Sequence, residues 1–405
     1  MYDVAIVGAR CAGSALALSL ARHGLKVIII DRTRFPSDTM SGHYIHPAGV
    51  SALRRLGLRE DLERLGSPAL RRMSIDFGSF TISGAPTPAR DGTVDSFAPR
   101  RWAFDPVLAE AAVAVGAELR EATNFTRLVF DGRQVKGIAT VSTSGRVEDV
   151  RARLVVGADG KRSRVAAQAG ARVYDTVPAR TCTYYAYWKD LPIDRAELYV
   201  RDGRFAVALP TNEGLTFLAV AWPVDRFGAV RKDVETAYLA AVCELPSLAD
   251  RLVSAKRVGR FTGTADTEGF FREAAGPGWA LVGDAGYHKD PITAQGMTDA
   301  FLHAELLSEC VVDGLGGARN IDAALMTYSQ RRDALAKPLY DMTAELARLS
   351  SPSPEVAALL AAVAVSPGAT SEFLGIMAGT VHPQEFFAAP NVERILELAG
   401  RPKAA

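Results

Sequence analysis

Three short runs of residues have the types and spacing that ligand chemistry requires. The first is Gly8-Ala9-Arg10-Cys11-Ala12-Gly13, followed eighteen residues later by Asp31. Glycine at the first position permits a tight turn, and glycine at the last permits close strand–helix packing. The helix that follows offers unpaired N–H groups and a positive dipole end to a pyrophosphate, and the acidic residue accepts a ribose hydroxyl. The middle position of this fingerprint is Arg10 rather than glycine. We expect its guanidinium to turn toward the ligand and offset phosphate charge. The second run is Gly157-Ala158-Asp159-Gly160-Lys161-Arg162-Ser163, which alone is also readable as an ordinary β-turn. The third runs from Gly283-Asp284 through Pro291 to Gly296. It sets a carboxylate at the C-terminal edge of a strand, where α/β sheets bind ligands. The loop after it opens a long helix whose positive end can face an electron-rich ring.

His43, His46 and His288 are candidate acid/base groups, because imidazole titrates near neutral pH. A lone histidine is more often structural, and Cys11 reads as a small buried residue. Tyr287-His288-Lys289-Asp290 is charged for a ligand-facing loop and reads equally as a solvated turn.

The elements that must position these residues begin with a strand, Asp3–Val7, a helical stretch, Gly13–His23, and a second strand, Lys26–Ile30. Gly24 suits the left-handed residue after a helix, and short continuous apolar strands suit a parallel sheet buried on both faces. The unit is βαβ within about 30 residues. Helices are expected over 47–56, 59–65 and 105–117, the last with Pro106 in its first turn. A hairpin is expected at 73–83, and strands with an Asp131-Gly132 turn over 124–156. From 173 to 265 period-two strands dominate and aromatics cluster, which reads as an antiparallel second sheet. A long helix should start near Ala294, and the chain should be helical after about 330, broken near 351–353 and Pro367. The aromatics at 184–222 are readable as a pocket wall or simply as sheet core. The segment Phe373–Phe387, with Met377, could cap a pocket or pack on a second subunit.

Composition bounds the function. Lys+Arg 47 against Asp+Glu 46 gives a net charge of +1, which argues against a nucleic-acid binder. Four cysteines with no C-x-x-C spacing and six scattered histidines give no zinc signature or disulfide scaffold, so no metal is expected. Charges at Arg10, Arg22 and Lys26 interrupt the apolar N-terminus, so we expect neither export nor a transmembrane anchor, and a cytoplasmic location.

Taken in order, the N-terminal glycine fingerprint, the central Asp159-Gly160 and the late Gly283-Asp284 resemble the FAD-dependent aromatic hydroxylase family (para-hydroxybenzoate hydroxylase-like monooxygenases), with their geranylgeranyl-reductase and flavin-halogenase relatives. The resemblance covers roughly residues 1–330. It implies an α/β fold: a Rossmann-like FAD-binding domain with a parallel sheet (1–72, 98–172, 262–345), an antiparallel β-sheet substrate domain (73–97, 173–261) and a C-terminal helical region (346–405). By the same resemblance, Gly8, Arg10, Cys11, Ala12, Gly13, Asp31 and Arg32 would hold the ADP half of FAD. Asp159 and Gly160 would serve both FAD and NAD(P)H, Arg101 would contact the cofactor ahead of a helix, and Gly283 and Asp284 would hold the ribityl or ribose. Pro291, Ala294, Gln295, Gly296 and Met297 would form the flavin-facing loop. Ala294 and Thr298 stand where the commonest family loop has Gly and Asn.

What the resemblance implies is oxygenation of a small aromatic or apolar substrate through a flavin C4a-(hydro)peroxide, with O2 and with NADH or NADPH as transient co-substrate. No second nucleotide fingerprint is present, so NAD(P)H would bind on the FAD domain, or a separate reductase would supply electrons. The alternatives are a reductase of the geranylgeranyl type and a flavin-binding protein without catalysis. Halogenases carry a Trp-x-Trp-x-Ile-Pro signature that is absent here: Trp102, Trp188, Trp222 and Trp279 are dispersed.

Overall fold

The protein is described from a computed structural model, which covers residues 1–400. Its centre is a parallel sheet. Strand Tyr2–Val7 lies between Val27–Ile30 and Val147–Gly157, in register Val4↔Val27 and Val4↔Leu154. Glu118–Arg120 extends it on one side and Trp279–Leu281 on the other, both parallel. Val4–Ile6 and Val27–Ile30 are buried, as strands covered on both faces must be. The helix Cys11–Arg22 covers one face and packs with Gly296–Leu315 and Arg101–Ala114. The strands Thr123–Asp131 and Gln134–Ser142 form an antiparallel flap on the far end of Val147–Gly157.

A seven-stranded sheet stands beside this body, ordered 256–264, 181–189, 215–223, 204–210, 196–201, 73–76 and 81–84. It is antiparallel except where Ala196–Arg201 runs parallel to Met73–Asp76. Successive side chains alternate between its faces. One face turns toward the body and the C-terminal helices. The other, with Trp188, Tyr199, Leu218 and Trp222, is covered by Val234–Cys243 and Pro246–Leu252 through Tyr238, Val242 and Leu248.

Several elements differ from the sequence reading. The helices within 227–252 interrupt the region read as strands; Asp233 caps one of them by accepting from the Thr236 amide. Val173–Val177 belongs to a separate three-stranded sheet with Gly269–Arg272 and Tyr287–His288, which ties it to the loop after Asp284. The helix read as 105–117 is Arg101–Ala114, so Pro106 lies inside it rather than in the first turn. The long helix begins at Gly296, because Ala294 takes a left-handed φ of 52° that no α-helix continues through.

Candidate functional site

A cavity of about 910 Å³ opens where the parallel sheet, the seven-stranded sheet and the C-terminal helices meet. The fingerprint turn forms one end of it. Gly8 has φ +107°, and a Cβ there would stand 2.4 Å from the Ala158 carbonyl oxygen; at Gly13 it would stand 1.8 Å from that of Gly8. Only glycine lets the turn pass this close to the strand and helix. The Asp31 carboxylate accepts from the Ala9 amide at 2.8 Å and from both the amide and hydroxyl of Thr33, which fixes the turn to the end of the second strand. Ala12 packs against Gly283, where a Cβ would lie 2.8 Å away, and Arg32 lines the rim.

Arg10 lines the cavity but is not free. It donates to the Asp105 carboxylate and, at 2.9 Å, to the Ser37 hydroxyl. Asp105 also accepts a bidentate pair from Arg101, at 2.7 and 3.1 Å, and the Cys11 thiol at 3.6 Å. Arg101 is the first residue of its helix rather than the residue before it. Two guanidiniums share one carboxylate, so the cluster keeps one net positive charge beside the amide-rich start of Cys11–Arg22. That arrangement fits an anionic pyrophosphate. Burial pushes the Cys11 thiol up to about 12, so it stays protonated.

Asp159 lines the cavity and also orders the local backbone. Its carboxylate accepts from the Ser163 hydroxyl and from the Arg164 and Val165 amides, capping the short helix that follows. Gly160, at φ +79°, remains in the cavity wall, and Lys161 pairs with Asp266 at 2.7 Å.

Gly283 takes φ +61° and carries the exposed Asp284 into the cavity. Pro291, Ala294, Gly296 and Met297 line the same wall; a Cβ on Gly296 would meet nothing within 4 Å. A bare glycine at a helix start, open to a cavity, is a cradle for a flat or anionic group. Gln295 turns away, donating to the Met377 carbonyl at 2.5 Å and so tying the loop to the C-terminal helix Pro367–Ala378. Met377 lines the cavity from this segment.

The loop Tyr287–Asp290 is not a solvated turn. Tyr287, Lys289 and Asp290 are buried. Lys289 donates to Asp299 and, at 2.8 Å, to the Tyr287 hydroxyl; Asp290 accepts from the Thr181 hydroxyl at 2.7 Å. Burial raises the Asp290 carboxyl above the usual carboxylate range. The Lys289–Asp299 pair joins residues ten apart, one in the loop and one on the helix, and only the fold shows it.

All three histidines line the cavity, each ring with a different partner. The His43 and His46 rings are buried and held down to about 3 and about 4, mainly by burial, so both are neutral at pH 7. His46 Nε2 meets the Thr293 carbonyl at 3.0 Å. His43 Nε2 meets the Tyr187 hydroxyl. His288 turns to the Glu268 carbonyl and stacks on Phe270.

Beyond the cofactor motifs, the cavity runs along the inner face of the seven-stranded sheet: Phe205, Val207, Leu209, Phe217, Ala219 and Ala221. Tyr185 joins this wall, whereas Trp188, Tyr199 and Trp222 lie on the opposite face. The aromatic cluster is thus part wall and part core, and strict alternation is the signal that separates the two. Among the described residues no cluster of metal-ligating side chains occurs, and no single helix is long and apolar enough to cross a membrane.

The chain matches the FAD binding domain family over residues 1–343. It is 27% identical over 354 residues to the digeranylgeranylglycerophospholipid reductase of Methanosarcina acetivorans, covering 82% of this chain and 80% of that one. It is likewise 27% identical to the squalene epoxidase of Aspergillus fumigatus, covering 84% and 75%. Among solved structures it resembles the myxobacterial chondrochloren halogenase (TM-score 0.78, 22% identity, 98% and 96% covered). It also resembles a flavoprotein/dehydrogenase from Cytophaga hutchinsonii (TM-score 0.83, 18% identity, 98% of each chain). At these identities the structural likeness shows the fold.

Proposed function

This chain belongs to the FAD binding domain family of flavin-dependent oxidoreductases, and from that membership we propose that it is a monooxygenase. Its reaction is hydroxylation or epoxidation of a small, uncharged aromatic or apolar molecule, with NADH or NADPH as electron source. Bound FAD supplies the redox and oxygen chemistry; the protein supplies binding, orientation and exclusion of water. The Gly8–Gly13 turn, Asp31 and the Arg10–Arg101 charge would hold the dinucleotide end. Asp284 would accept a sugar or ribityl hydroxyl, and the amides at the Gly296 helix start would hold the flavin end. Met377 would limit access of water from the side of the C-terminal helices.

The observation that carries this reading is that one cavity joins the dinucleotide turn to an apolar sheet face without a break. Purified protein should be yellow, and NADH or NADPH should bleach it faster when an apolar substrate is present. Labelled O2 should leave one labelled atom in the product. Bleaching with no label incorporated, and with loss of a substrate double bond, would instead establish a reductase, as the Methanosarcina acetivorans relative is named. A colourless protein that takes up no FAD would refute both.

A further inference from the structure

The cavity face of the seven-stranded sheet is graded across its strands. Strand pairing sets cavity-lining residues side by side in rows. In one row Thr264 stands beside Thr183, Thr183 beside Ala221 and Ala221 beside Phe205. In the next, Tyr185 stands beside Ala219, Ala219 beside Val207 and Val207 beside Leu198. Each row opens on a hydroxyl, on strand 256–264 or 181–189, and closes on hydrocarbon, on strand 204–210 or 196–201. Met73, on the strand beyond, continues the hydrocarbon. Other polar groups gather where His43 meets Tyr187, Arg100 covers the Tyr187 ring and the Ser41 hydroxyl accepts from the His43 amide. They too lie against strand 181–189, so polarity changes across the sheet and not along a strand.

Exposure follows the same gradient. Strand 256–264 is a sheet edge. Thr264 and Thr183 keep part of their surface in solvent, and the Asp266 side chain is 40% exposed. Leu198, Met73 and Ala196 are buried in one cluster with the C-terminal helices. The hydroxyl end is thus the open end. Thr264 Oγ1 accepts from the Asp266 amide at 2.9 Å, and a hydroxyl that accepts still has a proton to give. Thr181, two residues before Thr183, already gives its own to Asp290, which also accepts from the Ile292 amide. Charge beside Thr264 is balanced. Lys161 pairs with Asp266 at 2.7 Å and with Glu268 at 3.6 Å, and Arg162 with Asp266 at 2.9 Å, so two cations meet two carboxylates. An ionic head would find the charges around it already paired, whereas a neutral hydrogen-bonding head leaves nothing unanswered.

We propose that the cavity takes a neutral, elongated amphiphile, hydrocarbon end first, with a hydroxyl head between Thr183 and Thr264 and a body lying across Ala221 and Ala219 toward Leu198 and Met73. This deepens the reading of the cavity as a substrate site and rests on it. Strands 181–189 and 196–201 are three strand spacings apart, so the body spans roughly 14 Å. Ile292 and Ala294, in the loop before Gly296, pack against the hydrocarbon cluster. The body, and not the head, therefore lies beside that loop.

The test is calorimetry on the full chain with saturating FAD at neutral pH, using three probes of one length: 1-decanol, decanoate and decylammonium. The alcohol should bind at least tenfold tighter than either ion. Thr183→Val and Thr264→Val keep the side-chain shape and the strand propensity and lose the hydroxyls. Together they should weaken the alcohol at least tenfold and leave NADH affinity within twofold. Wild-type crystals soaked with 10-bromo-1-decanol should place the bromine's anomalous peak against Leu198 and Met73, a readout of direction that needs no variant. The proposal is overturned by an ion that binds as well as the alcohol, or by a panel that does not bind at all. It is equally overturned by a double variant that keeps the alcohol or loses NADH instead, or by bromine found at Thr183 or nowhere in the cavity. Flavin absorbance is read separately. A colourless protein that seats the bromine against Leu198 would sink the flavin reading and leave the amphiphile standing; a yellow one that seats it nowhere would do the reverse.

Discussion

Asp105 answers two cations at once, and replacing it by Asn removes the charge while keeping size and one acceptor oxygen. Its side chain is 0% exposed, that of Arg101 10% and that of Arg10 23%. Removing one partner of a buried ion pair costs about 3–5 kcal/mol. Arg10 keeps partial contact with water, so the lower end applies, ~3 kcal/mol. With a urea slope of roughly 3 kcal/mol/M, the unfolding midpoint of Asp105→Asn should drop by about 1 M. Arg10→Gln should cost less than ~1 kcal/mol, because Asp105 keeps both bonds to Arg101 and a partly solvated pair contributes little. The double variant should recover roughly half of the Asp105→Asn deficit, since one stranded cation remains instead of two. Saturating FAD should narrow the deficit further, because its pyrophosphate answers the same charge. Urea unfolding of the four proteins, with and without FAD, gives all these numbers. An Asp105→Asn midpoint equal to that of the wild type, or an Arg10→Gln less stable than Asp105→Asn, would refute the shared-carboxylate account.

Three further outcomes follow from the geometry. Gly13→Ala places a methyl 1.8 Å from the Gly8 carbonyl oxygen, and backbone cannot step aside as a side chain can; we expect loss of FAD from the purified protein, seen as loss of colour, and retained tight FAD binding would contradict it. Ala219→Phe fills the furrow on the inner sheet face, so it should weaken substrate binding more than tenfold while FAD affinity changes less than twofold; equal losses in the two titrations would show the wall to be structural. His43, His46 and His303 are held by burial at about 3, about 4 and about 4 in the folded chain. Below pH 6.5 the unfolded chain therefore binds more protons, and stability falls with pH until the folded values are reached. Between pH 7 and 5.5 each histidine contributes a loss of roughly 1.2 kcal/mol. Removing one, as in His303→Phe, should flatten the urea-midpoint profile by about a third.

Local constraints made part of this legible in the sequence. Gly8, Gly13 and Gly283 sit where backbone passes backbone, and such places name their residue type without tertiary information. The buried strands Tyr2–Val7 and Val27–Ile30 are continuous apolar runs for the same kind of reason. The partners of charged side chains were not legible: Arg10 finds Asp105 95 residues away, and the Asp159 carboxylate, in the cavity wall, accepts from helix amides. The burial of Lys289 depends on Asp299 arriving from the next helix. The helices Val234–Cys243 and Pro246–Leu252 were hidden by their apolar, strand-like composition, though Asp233 two residues before Glu235 carried a capping signal.

Strict alternation along strands 204–210 and 215–223 gives each strand two independent audiences. Phe205, Val207, Leu209, Phe217, Ala219 and Ala221 face the cavity, while Ala206, Ala208, Leu218 and Val220 face the covering helices. The specificity of such a scaffold can drift, or be redesigned, by rewriting every second letter. The helices behind the sheet and the dinucleotide turn across the cavity would not register the change.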